Sequence, residues 1–179
     1  NDLAASVKSF SSILKFRPNH VVSLLARAEA YLRQGELNQA KKDAELALKL
    51  YPEIPQANFV FARVYLQAGD YEAAKIASEK VLRVAPEHQM SFLILGSAHY
   101  AQGNFEQARF YLEKFVSAHP GHLVASRILG ATYLSLKAVD ETIELLEPLD
   151  QNVDLTDAQI LNILGRAYLQ KGDYHKGTE

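Results

Sequence analysis

YLRQGELNQA (Tyr31–Ala40), YLQAGDYEAA (Tyr65–Ala74) and YAQGNFEQA (Tyr100–Ala108) are versions of one phrase. Aligned on Gly35, Gly69 and Gly103, they recur every 34 residues. Pro18, Pro52, Pro86 and Pro120 keep the same step, as do Ala40, Ala74 and Ala108. Tyr31, Tyr65, His99 and Tyr133 form a fourth column. Four columns in one register mark an internal repeat, and the period becomes the first fact to explain.

One period holds two helices. In the repeat 21–54 the first helix is expected over about Val21–Gln34 and the second over about Leu37–Leu50. Gly35 follows the first, where a helix often ends on a residue with positive φ. Pro52 closes the second, because proline cannot continue a helix. The same reading assigns repeats to 55–88, 89–122 and 123–157, and a truncated repeat to 158–179 that begins one residue late. The extra residue falls in the polar link 151–157. Residues 1–20 align with a second helix alone. A stack of repeats needs polar caps, and neither end supplies one. The chain 1–179 is therefore read as a single array cut from a longer one, fraying after about Gly172. A column of small residues, Ala28, Ala62, Gly96, Gly130 and Gly165, lets paired helices approach closely.

Composition narrows the function classes. With 48% hydrophobic and 22% charged residues in 179, the chain can bury a core and is not of disordered type. A net charge of −2 gives no basic excess for nucleic acid. There is no cysteine, so thiol nucleophiles, disulfides and Cys-ligated zinc are excluded. The longest apolar run, around Leu93–Gly96, falls far short of the roughly 20 residues that span a bilayer, so no direct membrane insertion is expected.

These columns resemble the tetratricopeptide repeat (TPR) family over essentially the whole chain. Leu95–Pro120, LGSAHYAQGNFEQARFYLEKFVSAHP, looks like a nearly complete unit. The Leu–Gly pairs at 95–96, 129–130 and 164–165 match the family's first-helix pattern. The resemblance implies an all-α fold, a right-handed superhelical solenoid of antiparallel helix pairs. It would hold about four complete repeats with partial repeats at both ends. The chain departs from the pattern at Arg27, where the family prefers an apolar residue. Lys137 replaces the turn glycine and Thr142 the small alanine, so repeat four is expected to be the most irregular, with a looser turn. LGSAHYAQGNFEQARFYLEKF (95–115), ETIELLEPL (141–149) and LTDAQILNILGRAYLQKGDY (155–174) also resemble the multi-repeat TPR lipoproteins of bacterial PEP-CTERM/exosortase systems. That likeness implies a lipid-anchored parent in the periplasm or outer membrane; without it, a cytoplasmic adaptor is equally in keeping.

In the family, the second, fifth, ninth and thirteenth positions of each repeat face an inner groove that holds a protein or peptide. On that implication the partner-binding groove comprises Phe59, Arg63, Met90, Leu93, Val124, Arg127 and Arg166. Apolar side chains edged by guanidinium groups suit an amphipathic or acidic-flanked peptide. The alternative is that these side chains pack between neighbouring repeats. Leu25 and Glu29, then Phe59 and Arg63, do not reproduce the clamp of chaperone-tail receptors. His119 and His122 straddle Pro120–Gly121 and share no helix face, and His99 fills a tyrosine column. No metal, cofactor or catalytic residue is assigned. The leading expectation is a protein–protein interaction scaffold. The alternatives are a structural or assembly component of a bacterial envelope export or exopolysaccharide-associated system and, more weakly, a carbohydrate-binding one. Self-association through apolar cut ends is also expected.

Overall fold

The computed structural model describes residues 2–150 and 158–173. The expectations placed on the link 151–157 and on the chain after 173 lie outside them. The described residues form ten helices and no strand: α1 (Leu3–Phe16), α2 (Val21–Gln34), α3 (Leu37–Leu50), α4 (Pro55–Ala68), α5 (Tyr71–Val84), α6 (Gln89–Ala101), α7 (Phe105–Ala118), α8 (Leu123–Ser135), α9 (Val139–Asp150) and α10 (Ala158–Lys171). The chain divides into two compact units, Asn1–Ile94 and Leu95–Glu179, with the division inside α6.

In the first unit each helix packs on its sequence neighbours, and α2 also touches α4. The turn between paired helices is the same at Gly35 and Gly69, with φ of 77° and 78°. At Gly35 the glycine N–H donates to Leu32 O at 3.1 Å and the next N–H, from Glu36, reaches back to Tyr31 O at 2.9 Å. Two orphan carbonyls of the helix end are thereby satisfied. Asp2 and Asp70 cap α1 and α5, accepting from Ala5 N–H and Ala73 N–H. Ala28, Ala40, Ala44, Ala62 and Ala74 are fully buried and form the floor of one core with Leu32, Val64 and Tyr65. Arg27 departs from the apolar pattern because it has a designated partner. Its Nε and Nη2 donate to the two oxygens of Asp43 at 2.7 and 2.8 Å, and Nη1 donates to Ser11 Oγ at 3.0 Å.

In the second unit α7 packs on α8, α8 on α9, α9 on α10, and α8 also on α10. A Cβ added at Gly96 would sit 2.5 Å from Leu112 Cγ, and one at Gly130 2.5 Å from Leu146 Cδ1. The register explains why. Leu112 and Leu146 stand one period apart, and the equivalent places in the first unit hold Ala44 and Ser78. Small facing residues go with Ala28 and Ala62 on the first helix, and large ones with Gly96 and Gly130. The larger side chain of the second helix is thus admitted where the first helix gives up its Cβ.

Repeat four corrects one expectation. Its turn is not looser. Lys137 takes the left-handed conformation itself, with φ of 63°. Lys137 N–H donates to Leu134 O at 3.2 Å and Ala138 N–H to Tyr133 O at 2.9 Å, the pattern seen at Gly35. Thr142 is fully buried, and its hydroxyl donates to Ala138 O at 2.8 Å, so the extra polar atom is satisfied. Pro148 is accommodated within α9. A left-handed L-residue costs roughly 1–2 kcal/mol. Lys137→Gly is therefore expected to raise stability by about 1 kcal/mol, offset in part by glycine's greater freedom in the unfolded chain. Chemical denaturation measures it, and an unchanged or lowered midpoint would contradict it.

The tyrosine column has a bonding role. Tyr65 OH donates to Glu45, Tyr133 OH to Glu113 at 3.0 Å and Tyr168 OH to Glu147 at 2.6 Å. Each bond ties a first helix to the second helix of the preceding repeat. Burial, then the bond to the carboxylate, holds the Tyr65 and Tyr133 phenols well above their ordinary value of 10.0. The sign follows from linkage. The neutral phenol is favoured by folding, so its contribution is complete below about pH 10 and is lost as pH rises toward the folded-state value. The variant Tyr65→Phe/Tyr133→Phe is expected to be less stable at pH 7 by about 1 kcal/mol per bond. It should also lose less stability than wild type between about pH 10 and 11.5. Equal alkaline slopes for both proteins would refute the assignment.

Candidate functional site

The first helices carry the candidate side chains, and the two units present different chemistry. In the first unit Phe59 of α4 is half-buried. The ring of His88 meets it edge-on at 4.8 Å between centroids, and the Arg63 guanidinium lies over it at 5.7 Å. One turn separates Phe59 from Arg63, so both fall on one face of the helix. Arg63 Nη1 donates to both carboxylate oxygens of Glu29 on α2. Glu29 precedes Arg63 by 34 residues and holds the same repeat position one unit of the period earlier. Arg33 Nε stands 3.4 Å from Glu29 Oε1. The result is a row: Arg33, Glu29, Arg63, Phe59, His88. Met90 is 39% exposed at the start of α6, with Leu93 half-buried beyond it. Sequence reasoning placed Glu29 and Arg63 at groove positions without pairing them. Their separation by one full period was the available signal.

In the second unit Val124 of α8 is exposed, and Arg127 and Arg166 line one cavity of about 550 Å³. Tyr100, Ile128, Ala131, Asn162 and Ile163 are among its other walls, so it lies along α8 and α10. Among the described residues its lining contains no Asp or Glu. Two guanidinium groups, the amides of Gln159 and Asn162, and an isoleucine floor can donate to a carboxylate while covering apolar atoms. Of the seven groove candidates, the structure brings Phe59 and Arg63 together in one row and Arg127 and Arg166 together in one cavity. Tyr100 escaped the sequence reading. It stands one place past the tyrosine column, occupied here by His99, and that displaced aromatic was the only hint.

The histidines have structural work. His122 accepts from Ala125 N–H at 3.2 Å and so caps α8. His119 stacks on Phe115 at 4.5 Å, and His99 on Tyr111 at 5.7 Å. Among the described residues no three His, Cys, Asp or Glu side chains gather as metal ligands. No described helix is long and apolar enough to cross a membrane.

A family model described as tetratricopeptide repeat matches residues 25–86, 59–122 and 93–152. PilW, described as a widely conserved type IV pilus biogenesis factor, is similar at a TM-score of 0.85 and 20% identity, over 98% of this chain and 81% of that one. YrrB, described as a TPR protein with an unusual peptide-binding site, is similar at 0.78 and 20% identity, over 96% and 88%. A tetratricopeptide repeat protein from Parabacteroides merdae ATCC 43184 is similar at 0.72 and 19% identity, over 98% and 68%. At such identities the likeness is one of fold. No curated protein sequence matches the chain.

Proposed function

The chain belongs to the tetratricopeptide repeat family, and from that premise we propose that it is an adaptor that holds a protein or peptide segment against its first helices. The cavity along α8 and α10 carries the reading. It is concave, and it combines Ile128 and Ile163 with Arg127 and Arg166. Such a surface suits an amphipathic segment that presents Asp or Glu beside an apolar side chain. YrrB, described as having a peptide-binding site, supports the class of function through its shared fold. The partner is read as a protein or peptide rather than a nucleic acid, in keeping with the net charge of −2.

Capture of partners from the source organism, repeated with variants, tests the proposal. Arg127→Glu and Arg166→Glu are each expected to weaken capture by about 1–3 kcal/mol while leaving helicity nearly unchanged. A partner retained equally by wild type and both variants would move the site elsewhere. The second reading, a structural or assembly role in a bacterial envelope system, would then lead. Ile76 and Phe110 favour that reading, being half-exposed apolar side chains on second helices.

A further inference from the structure

We propose that Glu29 is a built-in competitor that sets the charge specificity of the first unit, occupying on Arg63 the place that a ligand carboxylate would otherwise take. This rests on the reading of the first-helix face as the binding surface, and it adds a specificity determinant within that surface.

Four observations carry it. Glu29 and Arg63 hold one repeat position in successive first helices, so the pair spans two repeats along the face assigned to binding. Both oxygens of Glu29 accept from Arg63 Nη1, so the carboxylate is committed to that group. Arg33 Nε stands 3.4 Å from Oε1 of the same carboxylate, making Glu29 the common counter-ion of two guanidinium groups. The pair is not sealed off: the Arg63 and Glu29 side chains keep 31% and 24% of their exposure. A ligand can reach them.

The consequence is an exchange. An acidic ligand approaching Arg63 must displace one carboxylate to install another, so the new ion pair replaces an old one of the same kind. The internal carboxylate is tethered and has little freedom left to lose, whereas the ligand must be ordered on arrival. Wild-type protein therefore gains almost nothing from acidic residues opposite Arg63. Phe59, flanked by Arg63 and His88, remains as the apolar contact. Remove the charge of Glu29, and Arg63 and Arg33 lose their shared counter-ion. The site then recruits an anion from outside.

The test uses the full chain and two probes. The first is an array of synthetic twelve-residue peptides, each with a central Phe and net charges stepped from −3 to +3. Glu29→Gln is expected to shift preference toward the acidic members by at least about tenfold relative to wild type. Glu29→Gln/Arg63→Gln should abolish the shift. The second probe is acetate, followed through the Arg63 side-chain Nε–H signal by NMR. Glu29→Gln should show a saturable response that wild type lacks. A purely structural staple between repeats predicts something different: a lowered melting temperature in Glu29→Gln with an unchanged charge preference and no acetate response, and that result would overturn the proposal. If no form binds any peptide, the adaptor reading fails at this face, and the acetate titration alone then decides whether Glu29 screens Arg63.

Discussion

Asp43→Ala is expected to destabilise the protein by about 3 kcal/mol, the lower end of the range for breaking a buried ion pair. Asp43 keeps 9% of its side-chain exposure and Arg27 21%, so the guanidinium left behind is partly but not fully cut off from water. In the native protein it is held by the two-point bond to Asp43, which makes it even harder to deprotonate than an ordinary arginine. Without Asp43 the neutral Ser11 hydroxyl and the face of the Tyr31 ring, 5.8 Å from the guanidinium carbon, remain, and neither carries a balancing charge. The reverse change, Arg27→Leu, strands the Asp43 carboxylate instead and should also cost several kcal/mol, about as much. The informative variant is the double one. Arg27→Leu/Asp43→Ala restores the apolar character typical of the family and should return close to wild-type stability or exceed it. Urea unfolding of the four proteins measures the coupling, and additive losses in the double variant would show that the pair is not the unit that matters.

Phe115→Ala is expected to cost about 3–5 kcal/mol. The ring is 1% exposed near the end of α7. It stacks on His119 at 4.5 Å and meets the edge of His122 at 5.1 Å. His122 in turn caps α8. Truncation opens a cavity and unseats two imidazoles that bracket the α7–α8 link. The loss should therefore be local as well as large. Hydrogen exchange should rise most in the last turn of α7 and the first turn of α8. Phe115→Leu should lose less than half as much. Uniform exchange across the second unit would argue that the ring supports packing only.

The period of 34 was legible because its glycine and proline columns answer to backbone geometry, which depends on local residues. Gly35 and Gly69 turn as read, and α2 and α3 fall on the spans that the first repeat implied. What escaped was whatever depends on a second residue from another helix. Lys137 looked like a defect in isolation, yet the backbone bonds around it impose the glycine conformation. Gly96 and Gly130 looked like members of one small column with Ala28, but Leu112 and Leu146 across the crossing decide why they are glycine. Arg27 looked misplaced until Asp43 came into view. For the candidate site, the helices and faces were readable from register, while the pairing of Arg63 with Glu29 was not. An ion pair is a property of two rotamers, and a column of residue types carries no rotamers.

The packing order has a kinetic consequence. Helices in each unit meet their sequence neighbours or the next helix but one. Contacts within a unit therefore close only short stretches of chain, and the entropy lost before any contact forms is small. Topology of this kind is associated with folding in microseconds to milliseconds. A nucleus can start at any helix pair and spread to its neighbours, so the chain has no single obligatory pathway. A force applied along it should meet a series of small barriers in place of one large one.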